Sequence, residues 1–112
     1  MRRGQIWWAA AGDPAGSGPG YRRPAIIVSS NDFNESAINT VIVAFLTTSL
    51  ARRDNPGVVR IPKRDTGLSE TSYANFAQLY TVDRRILQHQ IGRVPDQLMV
   101  TMDEALRLVL AL

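Results

Sequence analysis

The chain has 112 residues, of which 45% are hydrophobic, and this size and composition predict one globular domain over residues 1–112 with a single core. It contains no cysteine, which excludes disulfides, thiolate catalysis and cysteine metal sites and suits a reducing, cytoplasmic location. The formal net charge is +3, and Lys63 is the only lysine among 13 lysine and arginine residues. Because the arginine guanidinium pairs bidentately with phosphate and carboxylate groups, this composition favours an anionic partner, with a solvated basic surface as the alternative.

The first predicted strand covers residues 5–10. It contains Trp7 and Trp8, and aromatic side chains fit a half-buried pleated surface. The apolar run at residues 6–11 is too short for a signal peptide or a membrane span, so we expect neither.

A glycine-rich loop is predicted at residues 12–20, which include four glycines and two prolines. Its length exceeds what a plain hairpin needs, and such loops are often functional. The loop leads into Arg22 and Arg23, and the apolar run at residues 24–29 predicts a buried strand that begins there. We therefore expect this segment to bind a polyanion.

The middle of the chain is predicted to be mainly β. Cap and turn residues at 31–35 indicate a short helical turn, and the branched apolar run at 41–48 predicts a central strand. A further strand is predicted at residues 57–62. Residues 72–82 alternate and predict one long strand, in which Gln78 leaves the sheet beside aromatic rings.

The last third is predicted to end in a helix. A helical turn is expected at residues 83–88, a short return strand at 90–94, and a terminal helix that begins at Pro95, where the missing N–H is harmless. Apolar residues recur in that helix at helical spacing and predict its core-facing side: Met99, Met102, Leu106, Val109 and Leu110. The fold class is therefore mainly β with a C-terminal helix, either a strongly bent antiparallel sheet or a small open barrel.

The sequence lacks the residues of most catalytic centres. His89 is the only histidine, so an acid and base pair of two histidines is excluded and a Ser-His-Asp triad has no supporting motif. The carboxylates are scattered without a metal-binding motif, and no Gly-Lys-Ser/Thr follows the glycines at residues 16–20. We therefore expect no metal and no cofactor.

The remaining polar groups suit a single strand of nucleic acid. They are the two arginines, the hydroxyls of Thr47 and Thr48, and Gln78 with the aromatic residues around it. Arginine contacts phosphate, aromatic rings stack on bases, and amides read base edges. Cleavage of RNA without a metal needs only that the 2′-OH be positioned, the phosphorane be stabilised and protons be moved.

Residues 22–28, followed by residues 41–47, closely resemble the MazF/PemK family of toxin endoribonucleases. The resemblance covers nearly the whole chain, because other segments are similar to the family in the same order. These segments are Gly4 to Trp8, Asn31 to Asn34, Gly67 to Ser72 and Ile91 to Val94.

The resemblance implies a homodimeric SH3-like barrel that cuts single-stranded RNA without metal, leaving a 2′,3′-cyclic phosphate and a 5′-hydroxyl. It implies that Arg23 and Thr47 are catalytic, with Thr48 as the adjacent rival to Thr47. It also implies an antitoxin whose acidic, disordered tail covers the RNA groove. The residues expected to bind RNA are Ser17, Tyr21, Arg22, Thr48, Arg52, Arg53 and Gln78.

The chain departs from the family pattern at two points. Ala77 precedes Gln78 where the family often has Asp-Gln, and the loop lacks the glutamate that some members carry before the arginine. The general acid and base are therefore unassigned. Two alternatives stay open: a CcdB-like toxin that binds gyrase, against which the aliphatic C-terminus argues, and an inactive family member that binds RNA or a partner.

Overall fold

The computed structural model describes residues 1–10 and 22–112. The predicted glycine-rich loop, with Ser17 and Tyr21, lies outside the described residues. The elements in chain order are β1 (Gln5–Ala9), β2 (Arg23–Ile27), α1 (Asn31–Glu35), β3 (Thr40–Thr47), β4 (Val58–Ile61), β5 (Ser72–Asn75), β6 (Tyr80–Asp83), a 3₁₀ turn (Arg84–Ile86), β7 (Leu87–Arg93) and α2 (Asp96–Leu110).

The strands form one bent antiparallel sheet in the order β4-β5-β3-β2-β1-β7. β3 is the central strand, as predicted, and one of its edges is shared by two partners. Thr40 to Val43 pair with β6, whereas Leu46 and Thr47 pair with β5. β2 pairs along the other edge, with Ala25 opposite Phe45. The mainly β fold with a C-terminal helix is thus confirmed.

The prediction of one strand over residues 72–82 is wrong, because the chain turns between β5 and β6. The side-chain Oδ1 of Asn75 accepts a hydrogen bond from the Ala77 N–H at 2.9 Å, and the Gln78 N–H donates to the Asn75 carbonyl at 3.1 Å. Such side-chain to backbone bonds compete with the ladder of a sheet. Gln78 therefore lies in a turn and not on the face that strand alternation predicts.

β7 is longer than the predicted return strand at residues 90–94. It begins at Leu87 and pairs with β1 over most of its length, with two register shifts. The 3₁₀ turn before it is capped by Asp83, whose carboxylate accepts from both the side chain and the backbone N–H of Arg85. These bonds, the side-chain one foremost, hold the pKa of Asp83 below its usual value.

Both faces of the sheet are apolar along its central strands. Ile26 belongs to an inner cluster with Ile6, whereas its neighbours Ala25 and Ile27 belong to an outer cluster with Val43. Alternate residues of β2 thus enter different clusters, which explains why the strand is a continuous apolar run rather than an alternating one.

α2 covers the inner cluster. Met102 and Leu106 are buried there, as the helical spacing predicts. Leu110 was predicted on the same side but is 49% exposed. α2 has 15 residues, and within residues 1–10 and 22–112 no helix is long and apolar enough to span a membrane.

Two glycines let the segment after β4 approach β7, the opposite end of the sheet. A Cβ at Gly92 would lie 2.0 Å from the Thr66 carbonyl oxygen. A Cβ at Gly67 would lie 2.4 Å from the Ile91 carbonyl oxygen. Gly67 also has a φ of +83°, which non-glycine residues seldom adopt. This contact brings the two ends of the bent sheet together and holds residues 66–70 beside the start of β2.

Candidate active site

Arg23 begins β2, and its side chain is held over β3. Its Nη2 donates to the Leu46 carbonyl oxygen at 3.1 Å, and its Cζ lies 5.3 Å from the centre of the Phe45 ring. A guanidinium has five N–H donors, and this bond uses one of them. The side chain is therefore oriented by the protein, while most of its donors stay available to an anion.

Thr47 is the last residue of β3, and its backbone pairs with Tyr73 of β5. The register that joins Ala25 to Phe45, continued by two residues, brings Arg23 opposite Thr47. The Thr47 Oγ1 accepts a hydrogen bond from the Ser49 N–H at 3.1 Å. The hydroxyl is exposed and can still donate its own proton to a ligand.

The first of two cavities at this point is named the tyrosine cavity. It has a volume of about 380 Å³, and its described residues combine aromatic rings, arginines and amides. These residues include Tyr73, Tyr80, Phe45, Arg52, Arg53, Asn75 and Gln78, together with Arg23 and Thr47. The rings of Phe45 and Tyr80 meet edge to face with centres 5.3 Å apart.

The second cavity, named the glutamate cavity, has a volume of about 530 Å³. Arg22 lies on one side, with its guanidinium 4.8 Å from the centre of the Trp8 ring, a distance typical of a cation–π contact. Thr48, Ser69 and Glu70 also line it, with Arg23 and Thr47.

Arg23 and Thr47 are the only residues, among those described, that line both cavities. The two residues predicted to be catalytic therefore lie at the junction between the cavities. Arg52, Arg53 and Gln78 line the tyrosine cavity, while Arg22 and Thr48 line the glutamate cavity. Five predicted RNA-binding residues thus surround the junction, and Ser17 and Tyr21 lie outside the described residues.

The charge at the site is strongly positive. The described lining of the tyrosine cavity contains Arg23, Arg52 and Arg53 and no carboxylate. In the glutamate cavity Glu70 is the one carboxylate among the described lining residues. In the part of the chain covered by the structure, no three histidine, aspartate or glutamate side chains are grouped so that they could hold a metal ion.

Glu70 and Asn75 were not among the predicted site residues. Glu70 lies between β4 and β5 in the segment from Gly67 to Ser72, to which the sequence assigned no role at the site. The contact between Gly67 and β7 brings it to the cavity. Asn75 and Tyr73 are two residues apart, so strand alternation places their side chains on the same face. That shared face could have identified Asn75 as a site residue, because both side chains line the tyrosine cavity.

Known proteins are similar to this chain in both sequence and fold. A family model described as PemK-like, MazF-like toxin of type II toxin-antitoxin system matches residues 2–110. The chain is 38% identical over 112 residues to the endoribonuclease MazF6 of Mycobacterium tuberculosis, covering 100% of this chain and 98% of that protein. It is 30% identical over 112 residues to the endoribonuclease EndoA of Bacillus subtilis, covering 100% and 96%.

Among solved structures, the chain resembles an endoribonuclease in complex with its cognate antitoxin from a mycobacterial species. The TM-score is 0.80 at 28% identity, and the match covers 100% of this chain and 96% of that chain. Because the family model matches almost every residue and these relatives align end to end, the chain belongs to the PemK-like, MazF-like toxins of type II toxin-antitoxin systems.

Proposed function

We propose that this toxin is a metal-independent endoribonuclease that cuts single-stranded RNA at a specific sequence. The observation that carries the proposal is the junction of the two cavities, which Arg23 and Thr47 both line. The relatives MazF6 and EndoA are named as endoribonucleases, which supports the same reaction.

The two cavities suggest a path for the RNA. A strand that crosses the junction would have one base in the tyrosine cavity and its neighbour in the glutamate cavity, with the intervening phosphate at Arg23. Arg52 and Arg53 on one side and Arg22 on the other supply positive charge along this path. Aromatic rings beside a cationic groove are the usual arrangement for binding single strands.

The reaction follows from the chemistry of RNA itself. The ribose 2′-oxygen attacks the adjacent phosphorus, and the bond from phosphorus to the 5′-oxygen breaks. The products are a 2′,3′-cyclic phosphate and a 5′-hydroxyl. Arg23 would stabilise the added charge on the phosphorane, and Thr47 would donate a hydrogen bond that aligns the phosphate for attack.

Glu70 is the group that we assign to the proton of the 2′-OH. Arginine is a poor base because it remains protonated at neutral pH, and Thr47 has an ordinary hydroxyl. Glu70 is the carboxylate that shares a cavity with both. In this scheme its carboxylate accepts the 2′-OH proton, and the departing 5′-oxygen takes up a proton from solvent.

The function is tested by incubating the purified protein with a long single-stranded RNA in EDTA and mapping the cut ends. We expect cleavage at a short recurring sequence, with cyclic phosphate and 5′-hydroxyl ends. RNA left intact under these conditions would overturn the proposal. Inhibition of gyrase without RNA cleavage would instead support the CcdB-like alternative, and RNA binding without cleavage would support the inactive one.

Thr47→Val should reduce the cleavage rate about tenfold, which corresponds to one hydrogen bond of about 1.4 kcal/mol. Thr47→Ser keeps the hydroxyl and its bond to the Ser49 N–H, so it should retain most of the rate. Single-turnover cleavage measures both. If Thr48→Val had the larger effect, the rival assignment of the catalytic hydroxyl would be correct.

We also propose that the chain acts in the cytoplasm as a homodimer and is inhibited by an antitoxin with an acidic, disordered tail. Support for a subunit interface comes from the exposed leucines at the end of α2, since Leu108 is 68% exposed and Leu112 is 81% exposed. The arginines at the cavities would attract an acidic tail.

Light scattering tests both assemblies. It should give the mass of two chains for the protein alone and a larger mass for its complex with the antitoxin. The mass of one chain at micromolar concentration would refute the dimer.

A further inference from the structure

The side chain of Asn75 has a fixed orientation in the tyrosine cavity. It is the last residue of β5 and is partly buried. Its Oδ1 accepts the hydrogen bond from the Ala77 N–H at 2.9 Å. Because a backbone N–H can only donate, the atom facing it must be the carbonyl oxygen and not the amide nitrogen. The turn that breaks the predicted strand therefore also sets which end of this amide is free.

The free end of Asn75 offers hydrogen-bond donors only. Its Nδ2 carries two N–H groups, and no residue within 1–10 or 22–112 accepts a hydrogen bond from them. The nearby Gln78 differs, because it is exposed and its side chain makes no hydrogen bond within the same ranges. The Gln78 amide is thus free to present either its oxygen or its nitrogen, whereas Asn75 is not.

The nucleobases differ at the position that such a donor would read. Uracil and guanine carry a keto oxygen, an acceptor, at C4 and C6 respectively. Cytosine and adenine carry an amino group, a donor, at the same positions. An N–H group of Asn75 facing that position is complementary to a keto oxygen, while an amino group there would oppose donor to donor.

We propose that Asn75 determines base specificity, so that the tyrosine cavity accepts a base with a keto oxygen, uracil or guanine, in preference to cytosine or adenine. This inference rests on the proposed RNA-cleaving function. The rings of Phe45, Tyr73 and Tyr80 would hold the base by stacking or edge contacts, which any base can make. The oriented amide of Asn75 would supply the discrimination that these rings lack.

The test uses oligonucleotides that contain the mapped cleavage site, with each position changed in turn between uracil and cytosine or between guanine and adenine. At one position beside the cut, kcat/KM should favour the keto base at least tenfold. Asn75→Asp should reverse that preference, because one carboxylate oxygen keeps the bond to the Ala77 N–H while the other accepts from an amino group. Asn75→Ala should bring the ratio close to one.

Gln78→Glu is the matched control, since it makes the same change of charge in the same cavity. It should slow cleavage of all the RNAs without changing the ratio. If Asn75→Asp is too slow to assay, the same ratio is read from the affinities of RNAs whose 2′-OH at the cut is methylated, which also reports whether the variant is folded.

A wild-type preference retained by both Asn75→Asp and Asn75→Ala would overturn the role of Asn75 while leaving the proposed function intact. If Gln78→Glu changed the ratio instead, Gln78 and not Asn75 would determine the base specificity. If the wild-type protein cut none of the RNAs, the proposed function itself would fail, and the two failures are therefore distinguishable.

Discussion

Replacing Arg23 with alanine is expected to reduce the rate of RNA cleavage about 1,000-fold. The guanidinium lies at the junction of the two cavities and donates one N–H to the Leu46 carbonyl oxygen, so its remaining donors are pre-oriented for a phosphate. Loss of a single pre-oriented donor commonly slows a reaction about 100- to 1,000-fold, and this substitution also removes a charge.

Arg23→Lys separates the contribution of the positive charge from that of the oriented N–H donors, because it keeps the charge and loses the planar fork. We expect it to recover only part of the rate, leaving a deficit of about 10- to 100-fold. Arg64→Ala removes an equal charge from an exposed side chain that lines neither cavity and should cleave like the wild type. Single-turnover rates at saturating protein measure all three. A rate for Arg23→Ala within a few-fold of wild type would refute the assignment.

Glu70→Gln is expected to slow cleavage about 100-fold at neutral pH, the lower end of the usual contribution of a general base. Glutamine keeps the size of the side chain but cannot take up the 2′-OH proton. The variant should therefore lose cleavage rate, while its affinity for a 2′-O-methylated RNA stays unchanged.

Asp65→Asn is the matched control for this prediction, because Asp65 is an exposed carboxylate in the same segment that lines neither cavity. Its φ of 62° is one that asparagine tolerates. This control should keep the wild-type rate. A rate for Glu70→Gln within a few-fold of wild type would refute the role of Glu70 as the proton acceptor.

The strands β2 and β3 and the helix α2 were predictable because each carries a local signal that tertiary contacts reinforce. The apolar runs of the two strands are buried on both faces of the sheet, and Met102 and Leu106 of α2 are buried at helical spacing. α1 begins after Ser30, whose side chain accepts a hydrogen bond from the Phe33 N–H, and its bounds match the helical turn that the cap and turn residues at 31–35 predict. In each case pattern and packing favour the same structure.

The break between β5 and β6 could not be predicted from alternation. Ala74 and Phe76 are both buried, so the apolar pattern continues across a turn that the Asn75 side chain stabilises. After the turn, the chain pairs with a different segment of β3. The point at which this change occurs depends on how far β5 can pair before the sheet bends. Local sequence carries no information on that distance.

The residue types at the site, arginine before proline and threonine at the end of a strand, were determined by the sequence alone. Their meeting was decided by the tertiary structure, because the pairing of β2 with β3 sets Arg23 opposite Thr47 across 24 positions of the chain. Glu70 and the fixed amide of Asn75 also depend on it. The first needs the close approach of the Gly67 and β7 backbones, and the second needs the hydrogen bond from the Ala77 N–H to the Asn75 side chain. Composition and periodicity encode neither contact.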